Sequence, residues 1–172
     1  MSWVLLLAAA LVMALGGLWL EAAGPVEGAL TCGALFGLAA LLVAVYLLVR
    51  FHEERTRVFL RWLREHAAEV AAGRAEYAGA PLARETMLVR YRATVSLLLV
   101  ILHLHSRFYV AARPGERWAG RATGVVFTLI TLLLGWWTPF FWRGTLHSVK
   151  AIRANLAGGV TLSVGELLEQ EG

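Results

Sequence analysis

Charge is missing from the two apolar runs that open this chain, Trp3–Leu20 and Ala29–Val49. Only 16% of the 172 residues are charged, whereas a soluble domain carries about a quarter. This shortage argues against a soluble globular protein. Each run is long enough to cross the hydrocarbon core of a bilayer, which takes about 20 helical residues.

Lysine and arginine are also absent from the connection between the runs, residues 21–28. Five arginines follow the second run: Arg50, Arg55, Arg57, Arg61 and Arg64. Because basic residues accumulate on the cytoplasmic side of a membrane, residues 1–50 are predicted to form a transmembrane helical hairpin. The expected location is the bacterial inner membrane, crossed more than once, with the basic segments mainly cytoplasmic.

A cleaved signal peptide is the alternative for Trp3–Leu20, since Ala22-Ala23-Gly24 would suit a cleavage site. The run lacks a basic region before it, however, and exceeds a typical signal-peptide core of about 7–15 residues. A retained helix is therefore expected.

Cysteine is scarce too, and acidic residues are absent from the apolar runs. Cys32 is the only cysteine, so neither an intrachain disulfide nor a zinc site built on cysteine pairs is possible. Without an ionisable group inside an apolar run, a self-contained proton-driven carrier is disfavoured. No nucleophile with a base, and no pair of carboxylates, stands out. We therefore expect no enzyme, no catalytic residues and no cofactor.

Small residues at helical spacing mark one face of each predicted span. They are Ala10, Ala14 and Gly17 in the first span, and Ala29, Gly33 and Gly37 in the second. Such residues allow helices to approach closely in lipid. We expect the two faces to pack on each other within the hairpin, and dimerisation through Gly33 and Gly37 is the alternative.

The region 51–121 is predicted to be cytoplasmic. Apolar residues at i, i+3 and i+4 indicate an amphipathic helix over residues 52–73, continuing from the second span and ending at Gly73. Leu88–Leu102 and Arg107–Ala111 are rich in Val, Ile, Thr, Tyr and Leu, and predict strands of a small subdomain. A third span here is the alternative, although it would place several arginines outside, against the usual charge bias.

The region 122–172 begins with a third uncharged run, Ala122–Trp142, which ends in clustered aromatic residues. Aromatic rings concentrate at membrane interfaces, so Trp136, Trp137 and Trp142 are predicted interface anchors. The length of the run favours a full span. Charge bias instead favours a re-entrant or interfacial arrangement, because a segment that turns back at Gly135–Pro139 keeps all 16 Lys and Arg residues cytoplasmic. A four-span arrangement also returns the C-terminus to that side.

Two shorter elements are predicted after this run. Arg143–Leu156 alternates apolar and basic residues at helical spacing and indicates a second amphipathic helix. Gly158 and Gly159 should end it. Ser163 and Glu166 have the spacing of a capping box and predict a short acidic helix at the C-terminal end.

Several short motifs in the second half resemble a pattern of uncharacterised bacterial membrane proteins. In that pattern a Gly-Trp-Trp-Gly-x-Pro-Trp-Gly core closes an apolar segment, and an Asn-x-x-Gly-Gly stretch follows. The matching residues are Arg90-Tyr91, Ser106-Arg107-Phe108-Tyr109, Gly135-Trp136-Trp137, Pro139, Asn155 and Gly158-Gly159. Thr138 and Phe140 depart from the pattern, which has glycine and tryptophan there. The resemblance implies a membrane protein and no particular reaction.

His103 and His105 are the candidate metal ligands. On a strand they would share one face and thus one metal ion, with His147 as a third ligand if the fold brings it near. No acidic or cysteine partner stands at ligand spacing. Two histidines that face water or lipid phosphate are therefore the stronger expectation.

Basic residues near the predicted interfaces are candidates for binding phosphate or lipid headgroups. These residues are Arg107, Arg113, Arg117, Arg143 and Lys150. Arginine suits phosphate because its planar fork donates two bonds at once. A solvated basic loop near anionic lipid is the plainer alternative, and nucleic acid is disfavoured because no recognisable binding module accompanies the charge.

Together these features predict a mainly α membrane protein with a small strand-containing cytoplasmic subdomain and a third, aromatic-rich membrane-embedded segment. The expected function is that of a non-enzymatic, membrane-anchored interaction or accessory protein. Its expected partners are anionic lipid headgroups and another membrane protein or a second copy. A subunit of an oligomeric channel or transporter is the alternative, and a membrane enzyme using His103 and His105 comes third.

Overall fold

The computed structural model describes residues 3–22, 25–97, 100–136 and 141–171. The chain is mostly helical with small sheets. Its helices are α1 Trp3–Ala22, α2 Pro25–Glu65, α3 Ala67–Ala71, α4 Pro114–Leu134, α5 Phe141–Leu156 and α6 Val164–Glu171. Its strands are β1 Ala75–Tyr77, β2 Ala80–Leu82, β3 Met87–Arg90, β4 Arg92–Leu97, β5 Val100–His105, β6 Tyr109–Val110 and β7 Val160–Ser163.

The chain divides into two compact units, Met1–Phe51 and His52–Gly172. Almost all of the predicted regions 51–121 and 122–172 therefore belongs to one unit. The helix α2 carries the second apolar run and the amphipathic segment as one helix of 41 residues, which confirms their predicted continuity. It ends at Glu65 rather than at Gly73, because His66 leaves the helical conformation with φ −111°. The short α3 follows, and Gly73, with φ +66°, ends it.

Among the residues that the structure describes, two helical segments are long and apolar enough to cross a membrane, Thr31–Glu65 and Pro114–Leu134. A shorter apolar helix, Trp3–Trp19, precedes them. Buried core helices of soluble proteins meet the same criterion, so the exposure of each helix carries more information than its length.

The helices of the first unit touch at Gly16, beside the predicted small-residue face. The thiol of Cys32 donates to the carbonyl of Gly16 at 3.5 Å, and Leu35 lies 3.2 Å from where a Cβ on Gly16 would stand. The predicted packing of the two small-residue faces on each other is therefore wrong, because this contact uses the neighbouring faces. Exposed instead are Ala10, Ala14, Gly17, Gly33 and Gly37; the side chain of Ala29 lies outside the described part.

The core of the second unit forms around an antiparallel sheet with strand order β6-β3-β7. Leu88 in the central strand lies opposite Val110 and Leu162 and is completely buried. Phe59 and Leu63 from the second half of α2 cover this region together with apolar side chains from the other elements. The buried cluster is Phe59, Leu63, Val70, Ala75, Leu82, Leu88, Val110, Val164 and Leu167.

The described part of Leu88–Val110 contains the strands β3, β4, β5 and β6, as predicted, and the alternative of a third spanning helix there is wrong. The strand material predicted over Leu88–Leu102 belongs to more than one strand. β3 ends at Arg90 and pairs with β6 and β7, whereas β4 and β5 pair with each other. Tyr91 separates them because its ring turns to pack over the glycines of α4.

The observed helix α4 begins before the predicted segment Ala122–Trp142 and also ends before that segment does. α4 starts at Pro114, takes the basic residues 117 and 121 into its first turns, and stops at Leu134; residues 137–140 lie outside the described part. Both α4 and α5 pack on β4 and on each other. The two helices α4 and α5 thus meet at β4.

The predicted amphipathic helix after this segment is present as α5, but its apolar face is not the face that packs inward. In the part of α5 whose burial is described, the buried residues are Gly144, Ser148, Ala151 and Asn155, all small or polar. Ser148 and Asn155 bond backbone groups of Gly135 and Arg92. Leu146 and Leu156, predicted for the apolar face, are 55% and 76% exposed.

The predicted capping box at the start of α6 is confirmed. The backbone N–H of Ser163 donates to the carboxylate of Glu166 at 2.6 Å, and the N–H of Glu166 donates to the hydroxyl of Ser163 at 3.1 Å. The hydroxyl of Ser163 also donates to this carboxylate at 3.0 Å, and the two bonds that the carboxylate accepts from Ser163 lower the pKa of Glu166.

Candidate functional site

A pocket of about 350 Å³ lies between the β4–β5 pair and α5. In the register of these strands Arg92 lies opposite His105, and Thr94 opposite His103. Directly opposed residues place their side chains on the same face of a sheet. We call this the histidine pocket; it is lined by Arg92, Ala93, Thr94, His103, His105, His147, Lys150 and Ala151.

The helix α5 closes this pocket from the other side. The ring of His147 lies 4.8 Å from the ring of His103, centroid to centroid. Lys150 follows one turn later on the same helix, and Ala151 beneath it is buried. Because alanine is small, α5 approaches the strands closely enough for these two side chains to reach the strand residues.

The two strand histidines are held in the neutral form at neutral pH. Burial, followed by the charges of Arg90 and Arg92, lowers the pKa of His105 to about 4. Burial, His147 and Arg92 also lower the pKa of His103. The pocket thus combines the cationic side chains of Arg92 and Lys150 with imidazoles that can donate or accept a hydrogen bond.

A second, adjoining pocket of about 370 Å³ shares Arg92 and His105 with the first. It adds Arg90, whose Nε donates to the carbonyl of Ser106 at 3.0 Å and whose guanidinium lies over the ring of Phe108. It also contains Glu166, whose carboxylate is engaged by the capping box. Within the described residues, no ion pair joins a carboxylate to Arg92, Lys150 or the pocket histidines.

These positions bear on the metal hypothesis for His103 and His105. The fold does bring His147 beside His103, as that hypothesis required. Yet in the part of the chain that the structure describes, no group of three or more His, Cys, Asp or Glu side chains is arranged to hold a metal ion. The chemistry of the histidine pocket is instead that of a cationic site.

Polar side chains from the helices bind the edge of β4 that faces away from β5. The side-chain carbonyl of Asn155 accepts from the N–H of Arg92 at 3.0 Å, and its amide donates to the carbonyl of Arg92 at 2.7 Å. Two residues along, the N–H of Thr94 donates to the hydroxyl of Thr131 at 3.1 Å. These bonds fix the strand that presents Arg92 to the pocket.

Gly135, which follows α4, links β4 to α5 through its carbonyl group. Its carbonyl accepts from the hydroxyl of Ser96 at 2.9 Å and from that of Ser148 at 2.8 Å. A Cβ at this position would stand 2.4 Å from the hydroxyl of Ser148. Glycine is therefore required here by close packing, and the Gly-Trp-Trp and Asn-x-x-Gly-Gly motifs both contribute to holding β4.

The predicted headgroup-binding residues do not form one cluster. Lys150 lines the histidine pocket. Arg107 lies over the ring of Tyr109 at 4.7 Å, Arg113 extends toward the turn at Gly79, and Arg117 is exposed in the first turn of α4. The side chain of Arg143 lies outside the described part.

Of the three predicted tryptophan anchors, Trp136 is described. It is half-buried, and its indole N–H donates to the carbonyl of Leu132 at 2.8 Å. Trp137 and the side chain of Trp142 lie outside the described part. Their role as interface anchors stays a prediction.

Tyr91 packs against a glycine face of α4. A Cβ on Gly124 would stand 2.6 Å from Cε1 of Tyr91, and one on Gly120 would stand 3.3 Å from Cε2. The tyrosine is only 4% exposed, so its ring has little room to move. These glycines thus set how closely α4 approaches the strands.

Replacing Gly124 with alanine is expected to lower the free energy of unfolding by about 1–2 kcal/mol, since overpacking outweighs the gain in helix propensity. Gly115→Ala is the matched control on the same helix, because nothing lies within 4 Å of its Cβ position. That variant should be neutral or slightly stabilised. Thermal unfolding in detergent measures both, and equal midpoints for the two variants would contradict the close contact with Tyr91.

The sequence missed the two arginines of the pockets, Arg90 and Arg92, as partners of the histidines. Their alternation with Tyr91 at the start of an apolar stretch is a signal for a strand end carrying cations on one face. This signal did not indicate which histidines Arg90 and Arg92 would contact, because that depends on the register in which β4 and β5 pair.

Comparisons of this chain with protein-family models, with curated proteins and with solved structures give no match.

Proposed function

We propose that this chain is a non-enzymatic, membrane-anchored interaction or accessory protein of the bacterial inner membrane. The proposal is carried by the outward face of α4. Val125, Leu129, Leu132 and Leu133 lie at helical spacing and are 47–60% exposed. A continuous apolar face of this kind indicates contact with lipid or with another protein.

Exposure in the first unit supports the same proposal. On α1, Leu7, Leu11, Leu15 and Leu18 are 53–67% exposed. Exposed leucines along a whole helix are unfavourable in water and favourable in hydrocarbon. We therefore propose that α1 and the apolar part of α2 form a transmembrane hairpin.

The pairing of β7 with β3 supports a re-entrant or doubly crossing arrangement of the segment between them. β3 precedes α4, and β7 follows α5, yet the two strands pair along four residues. Strands that pair must lie on the same side of a membrane. A single crossing by α4 would separate them, so the chain is proposed to return to the side on which it entered.

Labelling of single cysteines with a membrane-impermeant maleimide tests this topology. In a Cys32→Ala background, Glu27→Cys should be labelled in intact cells. Arg57→Cys and Arg153→Cys should be labelled only after the inner membrane is permeabilised. Labelling of Arg153→Cys in intact cells would overturn the return of the chain, and release of the protein by alkaline carbonate would overturn membrane integration.

The accessory function predicts a partner of fixed stoichiometry. Purification in a mild detergent should yield a complex with another membrane protein or a retained anionic lipid. A solitary monomer with no preference for anionic lipid would contradict the proposal.

An oligomeric channel or transporter subunit is the second candidate function. It is favoured by the open space next to Gly33 and Gly37, where an added Cβ meets nothing within 4 Å. Two copies of α2 are able to approach closely along such a face. Crosslinking in membranes should then trap an oligomer that Gly33→Leu with Gly37→Leu abolishes, and a monomer alone would contradict this function.

A further inference from the structure

We propose that the histidine pocket binds a phosphate dianion, supplied either by a phosphomonoester lipid headgroup or by a soluble phosphate. The site stands apart from the membrane proposal, because all its side chains come from β4, β5 and α5 within the second unit. Four observations carry it: the strand register, the approach of α5, the balance of charge and the shape of the pocket.

The strand register concentrates donors on one face. Arg92 and His105 are directly opposed, as are Thr94 and His103. Arg92 carries a positive charge, and the neutral imidazole of His105 can donate a hydrogen bond. An anion bound between them would contact both groups favourably.

The approach of α5 completes the ring of donors. His147 meets His103 at 4.8 Å between ring centroids, and Lys150 lies one turn further along the helix. Arginine offers a planar fork for two phosphate oxygens, and lysine adds a point charge. Neutral imidazoles add hydrogen-bond donors without adding charge.

The balance of charge selects an anion. The groups that face His103 and His105 are Arg92 on β4, Arg90 at the end of β3, and His147 and Lys150 on α5; Glu166 on α6 faces the adjoining pocket. Among the described residues, Glu166 is the one carboxylate that lines either pocket, and Ser163 already binds it. Arg92 and Lys150 therefore have their charge available for a ligand.

The shape of the pocket selects a small ligand at the surface. Its volume of about 350 Å³ is open to solvent on one side, and Arg92, His103, His147 and Lys150 are exposed at its rim. The described lining contains no Phe, Tyr or Trp ring on which a nucleobase could stack. A phosphate group fits, with the rest of the ligand projecting outward.

Binding of a dianion couples to proton uptake. The pKa of His105 is about 4 in the absence of an anion, and a dianion beside the imidazole raises it. Binding should therefore be accompanied by proton uptake at His105, in the pH range where the phosphomonoester is still a dianion, above about 6. The same lowered pKa makes the unliganded fold lose stability as pH falls from 6.5 toward 4, because the unfolded chain then binds more protons. Phosphate should offset this loss.

NMR of ring-labelled histidines in the full-length protein tests the site. In detergent, inorganic phosphate is added at constant ionic strength maintained with chloride. In a second arm, the protein is reconstituted in phosphatidylcholine vesicles with or without phosphatidic acid, in phosphate-free buffer. A saturable shift of the His103, His105 and His147 resonances, with a raised pKa of His105, is expected in at least one arm. A shift in the first arm assigns soluble phosphate, and a shift only in the second assigns the lipid headgroup.

Matched variants distinguish a site from diffuse surface charge. Arg92→Gln and Lys150→Gln should each weaken binding by about tenfold or more, since each removes a charged hydrogen-bond donor. Arg153→Gln, an exposed position on α5 outside the pocket, should leave binding unchanged. Equal weakening by Arg153→Gln, or no saturable shift in either arm, would overturn the proposal. Lys150 is exposed on the helix surface, so Lys150→Gln keeps the test valid if Arg92→Gln fails to fold.

Discussion

Asn155→Ala is expected to lower the free energy of unfolding of the second unit by about 2–4 kcal/mol, because it leaves buried backbone groups without partners. The amide of Asn155 bonds both the N–H and the carbonyl of Arg92, and also the hydroxyl of Thr128 at 3.2 Å. Asn155 itself is only 8% exposed. Water therefore has little access to replace these bonds.

Two measurements check this expectation. Thermal or chemical unfolding in detergent should show a clearly lower midpoint for Asn155→Ala than for Arg153→Ala, an exposed neighbour on the same helix. Hydrogen exchange should become faster at the amide of Arg92 and change much less at that of Thr94, which is held by Thr131. Unchanged exchange at Arg92 would show that Asn155 does not hold the strand.

Gly159→Ala should destabilise the protein by about 2–4 kcal/mol, since backbone strain and a close contact act together. Gly159 has φ +96°, a conformation that alanine rarely adopts. A Cβ there would also stand 2.6 Å from Cγ1 of Val89 and 3.1 Å from the carbonyl oxygen of Arg90. The chain thus passes directly over β3 on its way to β7.

Gly158→Ala separates the two causes. Gly158 has a similar φ of +101°, but nothing lies within 4 Å of its Cβ position. It should therefore show the backbone strain alone, about 1–3 kcal/mol less destabilising than Gly159→Ala. Equal unfolding midpoints for the two variants would mean that the approach to Val89 contributes nothing. Val89→Ala combined with Gly159→Ala should restore part of the loss.

Local sequence signals predicted the elements that local physics determines. The continuity of α2 and the capping box of Ser163 and Glu166 follow from residues within a few positions of each other. Gly73 does stop a helix, but that helix is the short α3, because α2 already ends at Glu65. The strand content of Leu88–Val110 also follows from its Val, Ile and Thr residues between charged boundaries. The sequence did not indicate the break at Tyr91, because this residue leaves β3 to pack on Gly124, more than thirty positions away.

The histidine pocket was only partly predictable. Alternation places His103 and His105 on one face of any strand, and the sequence therefore identified the pair. Its cationic character depends on Arg92, whose position opposite His105 requires the register of β4 and β5. The inward face of α5 was hidden for a related reason: Ser148 and Asn155 look like surface residues until their backbone partners on β4 are known.

The way in which β4 is covered has a consequence for association between chains. A strand edge with free N–H and carbonyl groups is a template on which another extended segment adds. On β4 the groups of Arg92 and Thr94 are bound by Asn155 and Thr131, and the helices that carry these side chains stand where an added strand would lie. Helix side chains, rather than a neighbouring strand, thus protect this edge of β4 from the addition of another strand. Loss of Asn155 would therefore expose a strand edge that is prone to aggregation, in addition to weakening the fold.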